Sequence, residues 1–259
     1  MLSPWETIGL TASALAAGVI NSFAGGGTLL TFPTLLAFGM SPINANATST
    51  LALLIGTAGG TFSNREFIRP IRRWLWRFAP VSIIGGLLGS TLLTHTSNQV
   101  FAKLVPFLIL FATILFLTQG FFRQFAKSHE HPGQPESKSH VWGAILFQFA
   151  VAIYGGYFGA GIGILMLATL GFIGMGNIYE MNTLKTILSA LINLMAAVWF
   201  ICAGLIKWPQ MAVMTVGALI GYYFGSHFAL RVSQNRARQI ITAIGFIISA
   251  ITFWKEFVK

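Results

Sequence analysis

The sequence predicts an all-α polytopic membrane protein built from two inverted-topology repeats with glycine-broken or re-entrant helices. Three observations predict it. Hydrophobic residues make up 55% of the 259 and charged residues only 8%, where a soluble domain carries roughly 25%. The apolar runs are continuous rather than alternating, which favours helices over a β-barrel. The two halves resemble each other at a near-constant offset.

So few charges cannot cover a water-exposed surface, and mean hydropathy is +0.73. Uncharged runs at 78–93, 104–122, 141–179, 187–206, 208–230 and 240–254 approach the ~20 residues of a spanning helix. The N-terminal 17 residues carry Glu6 and no Lys or Arg, unlike a signal peptide, so they are read as the start of the first helix. Net charge is +10. The basic residues sit in short segments between apolar runs, where they act as topology signals. With no soluble basic domain, nucleic acid is excluded as a partner. A single cysteine, Cys202, rules out an intrachain disulfide.

The most polar stretch, 123–140, contains Pro132, Gly133 and Pro135 and reads as a cytoplasmic linker between repeats at 1–122 and 141–259. Its His129, His131 and His140 lack a companion ligand set and read as solvated, so no metal and no cofactor is expected. Phe23–Leu51 and Phe158–Thr186 align without gaps at an offset of 135. Phe23/Phe158, Gly26/Gly161, Leu30/Leu165, Thr34/Thr169, Leu35/Leu170, Gly39/Gly174, Met40/Met175, Ile43/Ile178 and Thr48/Thr183 are identical pairs. Ile84, Gly85, Gly89, Ser90 and Ser97 continue the match with Ile220, Gly221, Gly225, Ser226 and Ser233 at offset 136. Internal duplication of this kind marks secondary transporters.

Charge placement predicts the orientation. Arg65, Arg69, Arg72, Arg73 and Arg77 crowd one loop, and Arg123, Lys127 and Lys138 lie in the linker. Both are cytoplasmic by the positive-inside rule. The intervening His95–Asn98 segment has no Lys or Arg. In the second half the bias swaps, with Lys207 alone in one loop and Arg231, Arg236 and Arg238 in the other. The halves are therefore expected to be upside down relative to each other, with both termini outside.

Glycine interrupts the first apolar stretch of each half, at Gly25-Gly26-Gly27 before Thr28, and at Gly159, Gly161 and Gly163. The apolar piece behind each is about eleven residues, too short to span. A broken helix leaves amides free at its new N-terminus, where the dipole favours an anion. Interruptions at matching positions of inverted halves point to a transport site; the competing reading is close packing through small residues.

Polar clusters follow. Asn44, Asn46, Thr48, Ser49 and Thr50 start the next helix of the first half, and Asn182, Thr183 and Lys185 that of the second. Capping explains Asn44 and Asn46. Thr50 and Lys185 are equivalent by offset and sit too deep to cap. Lys185 is the only Lys or Arg between Lys138 and Lys207. A membrane cation needs a partner, and a bound anion would supply one; snorkelling to the interface is the alternative. Asn193, two turns on, extends the same face. The chain has no Asp and its six Glu lie mostly in loops or near the termini, which disfavours cation carriers and proton relays. No HExxH, GxSxG or CxxC pattern supports an enzyme.

Phe23-Ala24-Gly25-Gly26-Gly27 with Pro33, the Asn46-Ala47-Thr48-Ser49 turn, and Asn182-Thr183-Leu184-Lys185 with Asn193 resemble the sulfite exporter TauE/SafE family. The similarity covers nearly the whole chain. Ala168 and Leu184 depart from the family pattern, where a proline and a small hydroxyl residue are common. The resemblance implies a multi-pass carrier of the bacterial inner membrane. It would export sulfite or an organosulfonate, with the lipid bilayer and the anion as partners and a homo-oligomer compatible with it. An anion channel, or a carrier for another small organic anion, is the alternative. The expected substrate-binding set is Lys185, Asn182, Thr183, Asn193, Gly25, Gly26, Gly27, Thr28, Asn46, Thr48, Ser49, Thr50, Gly161 and Gly163.

Overall fold

The computed structural model describes residues 2–23, 26–61, 68–128, 138–173, 175, 177–228 and 234–258. Within them the chain is helical throughout, with no strand. The order is α1 (Pro4–Phe23), α2 (Thr28–Ala37), α3 (Pro42–Thr61), α4 (Ile68–His95) and α5 (Asn98–Ser128). It continues with α6 (Lys138–Tyr157), α7 (Ile162–Phe172), α8 (Ile178–Cys202), α9 (Trp208–Phe228) and α10 (Gln234–Phe257).

Local chemistry sets the starts and stops. Ser3 and Glu6 form a reciprocal capping box ahead of α1: the Ser3 amide donates to Glu6 Oε2 at 2.8 Å and the Glu6 amide to Ser3 Oγ at 3.2 Å. Pro4 occupies the first helical position, where its missing N–H costs nothing. Asn177 caps α8 by accepting from the amides of Tyr179 and Glu180. Gly39, at φ +81°, closes α2 in the left-handed region that favours glycine.

Helices α4, α5 and α8 contain stretches long and apolar enough to cross a membrane. On α5 the stripe Leu104, Phe107, Phe111, Ile114 and Leu117 is exposed, while Phe101, Val105, Ile109, Ala112 and Phe116 are buried. An outer face this apolar suits lipid rather than water. The short helices α2 and α7 have 10 and 11 residues. At 1.5 Å per residue they rise about 15–17 Å, half of a hydrocarbon core.

Helix α1 packs along α9, and α4 along α6; α3 also meets α8 and α9, α4 meets α8, and α5 meets α10. Small residues permit the close approaches. Gly85 and Gly89 of α4 face Ala152 and Ile153 of α6, and Gly221 and Gly225 of α9 face Leu15 and Val19 of α1. The glycines paired by the sequence repeat thus occupy corresponding interfaces.

Three expectations about bounds are corrected. Arg69, Arg72, Arg73 and Arg77 lie on the first turns of α4 rather than in a loop; Arg65 is outside the described residues. Helix α5 runs to Ser128 and α6 begins at Lys138, so helix enters the polar segment from both sides; His129 and His131 fall outside the described residues. Helix α10 begins at Gln234 and includes Arg236 and Arg238, while Arg231 is outside the described residues. In each case polar residues extend a helix beyond its apolar run.

Candidate functional site

Both breaks form where glycine interrupts the apolar run, one between α1 and α2 and one between α6 and α7. They lie close together against one turn of α5. A methyl group on Gly26 would meet the Phe116 ring, and one on Gly161 would lie 3.3 Å from Leu115 Cδ1. Phe32 of α2 meets Phe158 of the second break edge-on, with ring centroids 5.4 Å apart.

The breaks are closed by opposite chemistry. At the first, Asn21 Oδ1 accepts from both the Gly26 and Gly27 amides at 2.8 Å. The expectation that these amides are free for an anion is therefore corrected: the last turn of α1 already supplies their acceptor. At the second, the Tyr154 hydroxyl donates to the Ala160 carbonyl at 2.8 Å. That contact engages an acceptor and leaves the first-turn amides of α7, at Ile162 and Gly163, where helix geometry provides no partner. Gly159 and Gly161 hold φ of +82° and +81°, so the chain enters α7 through two left-handed residues.

Lys185 reaches this helix start. A methyl group on Gly163 would lie 3.2 Å from Lys185 Cδ, 3.7 Å from Cγ and 3.8 Å from Cε, so the stem runs over glycine in the first turn of α7. Its Nζ donates to Asn182 Oδ1 at 3.1 Å. That partner is neutral and does not balance the charge. The Glu180 carboxylate instead accepts from Asn177 Nδ2 at 3.1 Å. Asn193 joins from two turns along α8, its Oδ1 3.8 Å from a methyl group built on Gly159. Lys185 with Asn182 therefore lies at Gly163, Asn193 at Gly159, and Gly161 against Leu115 and Ala112 of α5.

The first-half residues are placed differently. Asn44 and Asn46 lie inside α3 and do not cap it. Asn44 Nδ2 donates to the Leu205 carbonyl at 3.0 Å, and Asn46 Nδ2 to the Tyr157 carbonyl at 3.0 Å. Thr48 Oγ1 accepts from the Lys207 amide, and Ser49 Oγ lies 2.6 Å from Thr31 Oγ1. Thr50, Thr183 and Thr186 donate back to the Asn46, Tyr179 and Asn182 carbonyls of their own helices. Helix α8 starts at Ile178, so Asn182 and Thr183 are in its second turn rather than at its start. Thr28 is the first residue of α2, half-buried, and Gly25 lies outside the described residues.

The chain matches the family of sulfite exporter TauE/SafE over residues 10–252. It belongs to that family. Relatives are of the same kind. The probable membrane transporter protein YfcA of Escherichia coli is 29% identical over 256 residues, covering 96% of this chain and 90% of the relative. A probable membrane transporter protein of Haemophilus influenzae is 26% identical, covering 90% and 89%. The probable membrane transporter protein ORF9 of a Sinorhizobium species is 24% identical, covering 93% and 89%. No solved structure matches. This TauE/SafE chain is accordingly a membrane transporter. Sequence reasoning missed Asn21, Tyr154 and Thr31 within it. Asn21 carried a local signal, a lone amide residue in the last turn before a glycine run; Tyr154 and Thr31 carried none.

Proposed function

We propose that this chain is a secondary transporter that exports a small sulfur-containing oxyanion, sulfite or an organosulfonate, held at the second break between the two halves. The observation that carries the reading is the Lys185 stem laid over Gly163 in the first turn of α7, with its ammonium paired, among the described residues, to the neutral Asn182. A cation in a membrane protein needs a counter-charge, and an oxyanion needs donors to replace its lost water. In this reading the two remaining N–H groups of Lys185 and the amides of Ile162 and Gly163, with the α7 dipole, supply them.

The inverted-repeat architecture is part of the same proposal. It is supported by the exchanged partners of the repeat-matched glycines: α4 glycines against α6, and α9 glycines against α1. An axis in the membrane plane would turn each half over and reverse the loop charge, as the Arg bias requires.

Purified protein in proteoliposomes tests the function. Sulfite flux that saturates and accumulates against a concentration gradient under an imposed driving force supports the carrier. Linear, non-saturating flux would identify a channel, and the absence of sulfite and sulfonate flux would refute the assignment.

A further inference from the structure

A cavity of about 340 Å³ lies between α2, α5 and α10, and its described lining includes neither Lys185 nor a glycine of either break. Contacts at one end of the bundle fix its position. The Ile43 amide donates to Asn98 Oδ1 at 3.3 Å, joining the start of α3 to the start of α5. Phe107 of α5 meets Phe253 and Phe257 edge-on, with ring centroids 5.9 and 6.0 Å apart, so the start of α5 lies beside the end of α10. Pro42, Ala102 and Lys255 line the cavity from these three ends.

Leu36, Met40, Val105, Ile248 and Ile251 make its wall apolar. Lys255 and Glu256 line it too, and both are exposed. They directly follow the uncharged run 240–254, so in a bilayer they stand where hydrocarbon gives way to headgroups. Trp254, 62% exposed, belongs to the same level. Among the described residues neither charged side chain has an ion-pair or hydrogen-bond partner. An apolar slot that ends at one cation and one anion matches a ligand with an apolar chain and a headgroup of both charges.

We propose that this cavity holds an acyl chain of a phospholipid whose headgroup carries a phosphate and a primary ammonium, as in phosphatidylethanolamine. The Lys255 ammonium donates to the phosphate, and the Glu256 carboxylate accepts from the lipid ammonium, both as charge-assisted hydrogen bonds. A choline headgroup has no N–H for Glu256, and a glycerol headgroup has no cation. The chain lies against Pro33 and Leu36 of α2, so the lipid braces the half-length helix behind the first break.

The test is native mass spectrometry of the whole delipidated chain in detergent, titrated with phosphatidylethanolamine, phosphatidylcholine and phosphatidylglycerol of identical acyl chains. Phosphatidylethanolamine is expected to bind with an apparent Kd at least about tenfold below the other two, the effect of one hydrogen bond to a charged group. Glu256→Ala is expected to bring that ratio near one, and Lys255→Ala to weaken all three lipids alike. Glycerophosphoethanolamine, the headgroup without chains, is expected not to compete. Equal binding of the three lipids by wild type, or a preference unchanged in Glu256→Ala, would overturn the proposal. So would full competition by the chainless headgroup, or a dimer that forms in place of the lipid adduct and assigns the groove to a second copy of the chain. If Glu256→Ala does not fold, the wild-type preference and the chainless competitor decide. Sulfite flux is not part of the readout, so the transport reading stands or falls separately.

Discussion

Lys185 and Asn21 show how single side chains divide the labour between the two breaks. Asn21 Oδ1 holds two amides at the first break. Asn21→Ala would leave both unpaired, at about 1–3 kcal/mol for each buried group, and is expected to lower the thermal unfolding temperature of the detergent-solubilised protein. Asn21→Asp keeps the acceptor and should stay closer to wild type. At the second break the first-turn α7 amides of Ile162 and Gly163 have no partner within the helix, and the Lys185 stem runs over Gly163. Lys185→Arg keeps the charge but replaces a compact ammonium by a planar fork, so reduced sulfite flux is expected. Thr50 is the repeat equivalent of Lys185, but its hydroxyl donates to the Asn46 carbonyl of its own helix at 2.8 Å. Thr50→Val should therefore change apparent sulfite affinity much less than Lys185→Ala, measured at matched protein levels.

At the scale of the element, glycine decides where helices stop and how closely they pack. Gly161→Ala forces a side chain into the left-handed region at about 1–2 kcal/mol and presses on Leu115, so a loss of both stability and flux is expected. Gly89→Leu would drive a side chain into the α6 backbone at Ile153, costing about 1–3 kcal/mol or more as overpacking. Gly143→Leu, where nothing lies within 4 Å, is the control and should unfold at the wild-type temperature. The breaks and the short helices were legible in the sequence because glycine spacing is a local signal. The roles of Asn44 and Asn46 were not, because their partners Leu205 and Tyr157 are 161 and 111 residues away. Local pattern could offer only capping. The first turns of α4 were likewise read as loop, since four arginines interrupt the apolar run although nothing in them breaks a helix.

At the scale of the whole molecule, the two proposed halves meet among the described residues through α1 on α9 and α4 on α6. The proposed orientation rests on their charge asymmetry. In a Cys202→Ser background, an impermeant thiol reagent applied to intact cells is expected to label Ser97→Cys and not Ser137→Cys; labelling of Ser137→Cys alone would reverse the proposed topology. The family assignment makes the chain a membrane transporter, and the substrate proposal depends on Lys185, whose stem crosses the start of α7 and whose partner among the described residues is the neutral Asn182. The most direct measurement is sulfite flux in proteoliposomes, comparing wild type with Lys185→Ala at equal reconstituted protein and equal thermal stability. Abolished or severely weakened flux, with folding and insertion retained, is the predicted result. Wild-type rate and apparent affinity in Lys185→Ala would contradict it and leave Lys185 as an interfacial anchor.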